Sequence, residues 1–285
     1  MKLNLKKIYY PLMAVSFGLF ASSCNDFLDR EPISSITPAQ YFNSADELGA
    51  YAINYYTSLI ATNDAAYNAG PLNVDGDTDN MVVGEANTNY FAPDRWLVPS
   101  SGGPSFSVIR AMNYFLEQVL PKKEAGAISG STEDINHYIG EIYFLRAMAY
   151  FNQLRTYGDF PIITVVPEDK TDQLVELSKR APRNEVARFI LGDLDKAISM
   201  LRPGSAFNKV RIGKEIALLV KSRVALYEAS FERYHKGTPR VPGEAGWPGA
   251  GMAYNAGKSF NIDSEVDFFL TEAMNAAKEV ADNHN

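Results

Sequence analysis

Apolar residues return every three or four positions through most of this chain, the spacing of one face of a helix. The stretch "NSADELGAYAINYYTSLI" shows it first, with Leu48, Tyr51, Ala52, Tyr55 and Leu59 on one side. Ser44 and Glu47 stand at capping-box positions before it, where each side chain satisfies an otherwise orphan backbone N–H. Further helices are predicted over 106–120 (stopped by Pro121), 131–157, 182–201, 214–234 and 264–281. In 131–157 the face is Ile135, Tyr138, Ile139, Ile142, Leu145 and Ala149, and Gly158 follows as a C-terminal cap. The segment 182–201 repeats the pattern with Val186, Phe189, Ile190, Leu194, Ala197 and Leu201. Ile216, Leu219, Val220, Val224 and Tyr227 carry it in 214–234. Strand signals are few: a short extended piece, "FPIITVVP", separates two helices. The pattern predicts an all-α fold of paired helices with long irregular loops.

Periodicity vanishes in two places. Residues 62–104 and 235–263 are dense in Asn, Asp, Gly and Pro, which favour turns. Structureless loops longer than about 15 residues are uncommon in compact domains and often functional. Both tryptophans, Trp96 and Trp247, fall in these loops rather than in helices.

The N-terminus has a different grammar. Lys2, Lys6 and Lys7 form a basic head, Pro11 to Ala21 an apolar body, and Ala21, Ser22 and Ser23 precede Cys24, the single cysteine in 285 residues. At ~1.5 Å per residue that body reaches roughly 16 Å as a helix, too short for a bilayer core of about 30 Å. Basic head, short apolar body and small residues mark an export signal. A disulfide needs a second cysteine, and a nucleophile needs an activating base in a folded pocket. The remaining reading is a lipoprotein signal over residues 1–23, cleaved so that Cys24 is acylated. The pattern resembles a lipobox, with Ala21 where Leu is usual. A tether over 24–43 and a helical domain over 44–285 follow.

Charge then narrows the partners. The leader takes three of the 27 Lys and Arg and none of the 34 acids, leaving 24 against 34, a net −10, from Cys24 onward. That balance excludes nucleic acid, whose phosphates need clustered Lys and Arg. A search for chemistry finds little. "GMAYNAGKSF" holds one residue more between Gly251 and Gly257 than a phosphate loop does, and no buried strand precedes it. Asp75, Asp77 and Asp79 alternate like calcium ligands, but Asn80 replaces the turn glycine and Ala86 the bidentate Glu. An irregular calcium site or a solvated turn remain the two readings there. His137, His235 and His284 have no zinc spacing, and no cofactor motif is found. Arg146, inside an apolar helix, calls for a buried carboxylate, Asp193 or Glu141.

Four segments in this order, "CNDFLDREP", "GEIYFLRAMAYFNQLRTYGDFPII", "RNEVARFILGDLDKAISML" and "GKEIALLVKSRVALYEA", resemble the SusD/RagB family. The resemblance implies tetratricopeptide-like helical hairpins carrying a loop-rich ligand-binding portion. It further implies an outer-membrane lipoprotein that captures an oligosaccharide, without being an enzyme, and works with a SusC-like TonB-dependent transporter. Family members run longer, so the chain is expected to correspond to their N-terminal half. Sugars present apolar C–H faces to aromatic rings and hydroxyls to directional polar groups. The first long loop offers that mixture in Asn89, Tyr90, Phe91, Asp94, Arg95 and Trp96, and the second offers Trp247. Two other classes stay open: a helical protein-binding adaptor lipoprotein and a helical glycoside hydrolase.

Overall fold

The computed structural model describes residues 41–60 and 103–283. The chain divides into two compact units, Met1–Tyr41 and Phe42–Asn285, and the second carries all that follows. Its principal helices are α1 (Ala45–Ile53), α2 (Tyr56–Leu59), α3 (Ser107–Glu124), α4 (Thr132–Tyr157), α5 (Thr171–Leu177), α6 (Arg183–Met200), α7 (Lys214–His235) and α8 (Ile262–Asn283). Among the described residues there are two isolated β-bridges, Ser44 with Ser129 and Phe160 with Ala181, and the architecture is all-α.

The sequence pattern explains each start and stop. Ser44 caps α1, its Oγ accepting the Glu47 N–H at 3.3 Å, and Glu47 in return accepts the Asn43 N–H at 2.7 Å. Ser131 caps α4 in the same way, from the Asp134 N–H. Gly158 ends α4 at φ 71°, a left-handed conformation that favours glycine. Three details depart from expectation. The first helix breaks at Asn54 and Tyr55 and resumes as α2. Pro121 lies inside α3, whose last turn continues past it because the Pro121 carbonyl still accepts the Ala125 N–H. Helix α5 has no counterpart in the periodic pattern, since it buries no side chain and so has no apolar face to announce it.

Consecutive long helices pack antiparallel. Arg146 meets Asp193 while Tyr150 meets Phe189 further along, which fixes α4 against α6. Lys221 reaches Asp195 on α6 and Glu272 on α8, setting α7 between them. Helix α4 is central, touching α1, α2, α3 and α6, and so buries residues nearly all round, from Ile135 to Leu154.

Buried polar clusters tie the helices together. Arg146 donates through Nε and Nη2 to Asp193 at 2.6 and 2.9 Å, and through Nη1 to Asn113 Oδ1 at 2.9 Å. Of the two carboxylates expected for it, Asp193 is the partner. Asn113 passes the link on, its Nδ2 donating to the Ile163 carbonyl at 2.8 Å. Tyr150 Oη donates to the same carbonyl and accepts the Ile163 N–H, so the extended piece is held by side chains rather than by a sheet. The second cluster centres on Glu141, which accepts from Tyr56 Oη at 2.5 Å, Arg211 Nε at 2.9 Å and His137 Nε2 at 3.1 Å. His137 Nδ1 accepts the Arg202 N–H, which leaves the ring proton on Nε2 facing Glu141. Burial alone would raise the Glu141 pKa, but the bonds from His137, Arg211 and Tyr56 outweigh it and hold it below the usual carboxylate range.

Candidate functional site

At one end of the bundle the C-termini of α4 and α7 meet the N-terminus of α6. The loop after α7 folds over this end, anchored by Val241, which packs with Ile262, Val266, Phe231 and Phe260. Between loop and bundle lies an open cleft of about 610 Å³. One wall is the end of α4, Arg155 to Asp159. Ser178, Arg180 and Arg183 form the floor, with Phe231. Pro239, Arg240, Trp247, Met252, Tyr254 and Asn255 form the far wall.

The floor is built on ion pairing. Arg183 lies in the first turn of α6, where Pro182 supplies no side-chain cap. Its own backbone N–H is satisfied by Asp159 Oδ1 at 2.9 Å, and its guanidinium grips Glu228 at 2.7 Å through both Nε and Nη2. The same guanidinium lies 3.3 Å from the centroid of the Phe231 ring. Asp159 Oδ2 accepts the Trp247 indole N–H at 2.8 Å. Burial raises the Asp159 pKa, against the pull of those hydrogen bonds and of Arg183 and Arg180.

Beyond Glu228, one turn along α7, Glu232 is wholly buried and no donor reaches either carboxyl oxygen. Burial, with Glu228 and Glu265 nearby, pushes its pKa up to about 9 against the attraction of Arg183. At neutral pH it therefore holds a proton, which it can offer to Glu228.

The structure places Trp247 in the cleft wall, 5 % exposed, with Phe260 edge-on at 5.3 Å. Gly249 follows it because a Cβ there would lie 2.1 Å from the indole. Asn89, Tyr90, Phe91, Asp94, Arg95 and Trp96 lie outside the described residues, as do Cys24, Asp75, Asp77 and Asp79. Sequence reasoning overlooked Tyr157, Tyr254, Asn255 and the cleft arginines. Tyr254 and Asn255 belong to "GMAYNAGKSF", whose glycine spacing points to phosphate rather than to the aromatic ring and amide between the glycines. Tyr157 and Tyr254 are 42 and 37 % exposed and line the cleft. Asn255 is 6 % exposed; its Nδ2 donates to the Gly249 carbonyl at 3.0 Å, while its Oδ1 is buried without a partner. Among the described residues no three His, Cys, Asp or Glu side chains cluster to hold a metal ion, and no helix is long and apolar enough to cross a membrane.

A family model described as "Starch-binding associating with outer membrane", SusD-like, matches residues 26–226. Two curated relatives come from Formosa agariphila. SusD-like protein P2 is 22 % identical over 241 residues, which are 79 % of this chain and 44 % of that protein. SusD-like protein P38 is 23 % identical over 240 residues, 78 % of this chain and 42 % of that protein. The crystal structure of a SusD-like protein from Bacteroides fragilis superposes with a TM-score of 0.52 at 26 % identity, covering 73 % of this chain and 39 % of that one. The chain thus spans less than half the length of the curated relatives it matches. The matched segment includes the α4 wall and the floor up to Arg183, whereas Arg240, Trp247 and Tyr254 lie beyond it.

Proposed function

The chain belongs to the SusD-like family, and from that premise we propose that it is a glycan-binding protein of the cell surface. In this reading Cys24 carries the lipid anchor to the outer membrane, and captured oligosaccharide passes to a SusC-like TonB-dependent transporter. The observation that carries the capture step is the cleft itself. Two exposed tyrosines, Tyr157 and Tyr254, line it. Aromatic rings stack on the C–H faces of a sugar. Among the described residues the cleft's one lining carboxylate is Asp159, engaged by Trp247 and Arg183, which supports binding rather than cleavage; glycoside hydrolysis uses a pair of carboxyl groups across the bond. Trp96 and its neighbours in the first loop, with Trp247 in the second, are the further residues proposed to meet the sugar.

The delivery step has its own test. Purification of the anchored protein from native envelopes in mild detergent is expected to bring down a TonB-dependent barrel protein. Saccharide binding without such a partner would remove delivery from the proposal and leave capture standing.

A further inference from the structure

We propose that the cleft selects an acidic saccharide, one whose sugar ring carries a carboxylate or a sulfate; the inference rests on the glycan-binding reading and adds the ligand's charge. Three exposed guanidiniums line this one cleft, and they come from three separate segments: Arg155 from the end of α4, Arg180 from the turn after α5, Arg240 from the loop after α7. Among the described residues none of the three makes an ion pair or a side-chain hydrogen bond, though Arg180 acts on Asp159 at longer range; Arg155 lies over its own helix neighbour Phe151 at 5.7 Å.

Their charge is only partly offset within the cleft. Among the described residues Asp159 is the one carboxylate that lines it, accepting from the Trp247 indole and the Arg183 N–H and offsetting one of the three positive charges. Arg183 in turn is matched by Glu228, so that pair contributes no net charge. The cleft is thus basic in a chain whose net charge is −7. Gathering like charges at one opening is unfavourable until an anion enters, and an uncharged sugar gives no return for it. The planar fork of Arg fits the paired oxygens of a carboxylate or a sulfate. Beside these cations stand two exposed tyrosines, Tyr157 and Tyr254, whose rings can take the C–H surface of a sugar and which a bare inorganic anion would leave unused. Charge and ring contact therefore point to one ligand.

The test probes the full chain on a glycan array carrying each backbone in matched acidic and neutral forms, including an oligogalacturonate with its methyl ester and a sulfated galactan oligosaccharide with its desulfated form. Calorimetry on the hits and on inorganic sulfate follows. An acidic form is expected to bind about tenfold or more tightly than its neutral match, the return of one charge-assisted contact. Carboxylate and sulfate arms separate the two sources of the anion. The double substitution Arg155→Gln, Arg240→Gln is expected to erase the preference, whereas Arg188→Gln, in a surface pair with Glu265, leaves it in place. Equal binding of acidic and neutral forms overturns the inference while glycan capture survives. Inorganic sulfate bound as tightly as the sulfated sugar also overturns it. Retention of no saccharide in any form overturns the glycan reading together with the inference.

Discussion

Replacing Glu232 with Gln is expected to stabilise the protein, and the gain should depend on pH. The side chain is wholly buried, no donor reaches its oxygens, and its pKa rises to about 9 from an ordinary value of 4.5. Between those two values the folded chain holds a proton that the unfolded chain releases. Stability therefore falls as pH climbs through that window, because the folded state binds more protons. Each pH step costs about 1.36 kcal/mol, so the loss at pH 7 is roughly 3 kcal/mol. An amide at the same place neither ionises when unfolded nor loses the ability to donate to Glu228. The substitution should leave stability nearly unchanged near pH 4, then add roughly 3 kcal/mol at pH 7, or about 6–12 °C in Tm for a domain of this size. Urea unfolding followed by circular dichroism from pH 4 to 8, on both proteins, measures the difference directly. A variant that is less stable at pH 7, or a gain that does not grow with pH, would refute the reasoning.

Other perturbations bear on separate parts of the account. Asp193→Ala strands the Arg146 guanidinium in the core and is expected to cost about 3–5 kcal/mol in urea unfolding, as removing one partner of a buried pair does; a loss below 1 kcal/mol would show that water or Asn113 replaces it. Trp96→Ala should weaken saccharide affinity by calorimetry, on the order of 1 kcal/mol, while circular dichroism stays unchanged; unaltered affinity would move the contact elsewhere. Cys24→Ala should release the protein from the membrane fraction, and a variant that still pellets after a high-salt wash would end the lipoprotein reading.

Much of the scaffold was legible because α1, α3, α6 and α8 bury one face each; in α7 the expected face is only partly right, since Ile216 and Leu219 are exposed and Ala217, Leu218 and Val224 are buried instead. The run from Val186 to Ala197 is periodic in sequence and buried in the fold, and the serines at 44 and 131 announced two helix starts. Arg146 declared its need for a carboxylate, but two candidates met it; only packing, which sets Asp193 beside it from 47 residues away, chose between them. Helix α5 stayed hidden since Leu174 and Val175 are solvent-exposed and carry no periodic signal. The cleft arginines were hidden for a related reason. An exposed Arg at a helix end, in a turn or in a loop reads as an ordinary solvated charge, and Arg155, Arg180 and Arg240 acquire a shared meaning only once three distant segments converge. Likewise Asp159 gave no sign that it would hold both the first turn of α6 and the Trp247 indole.

Equilibrium dialysis of the full chain against a mixed oligosaccharide pool, with mass spectrometry of what is retained, tests the central claim most directly. The account predicts that a saccharide is concentrated on the protein side and recovered at its original mass. A pool left evenly distributed, or one returned as shorter products, would contradict it.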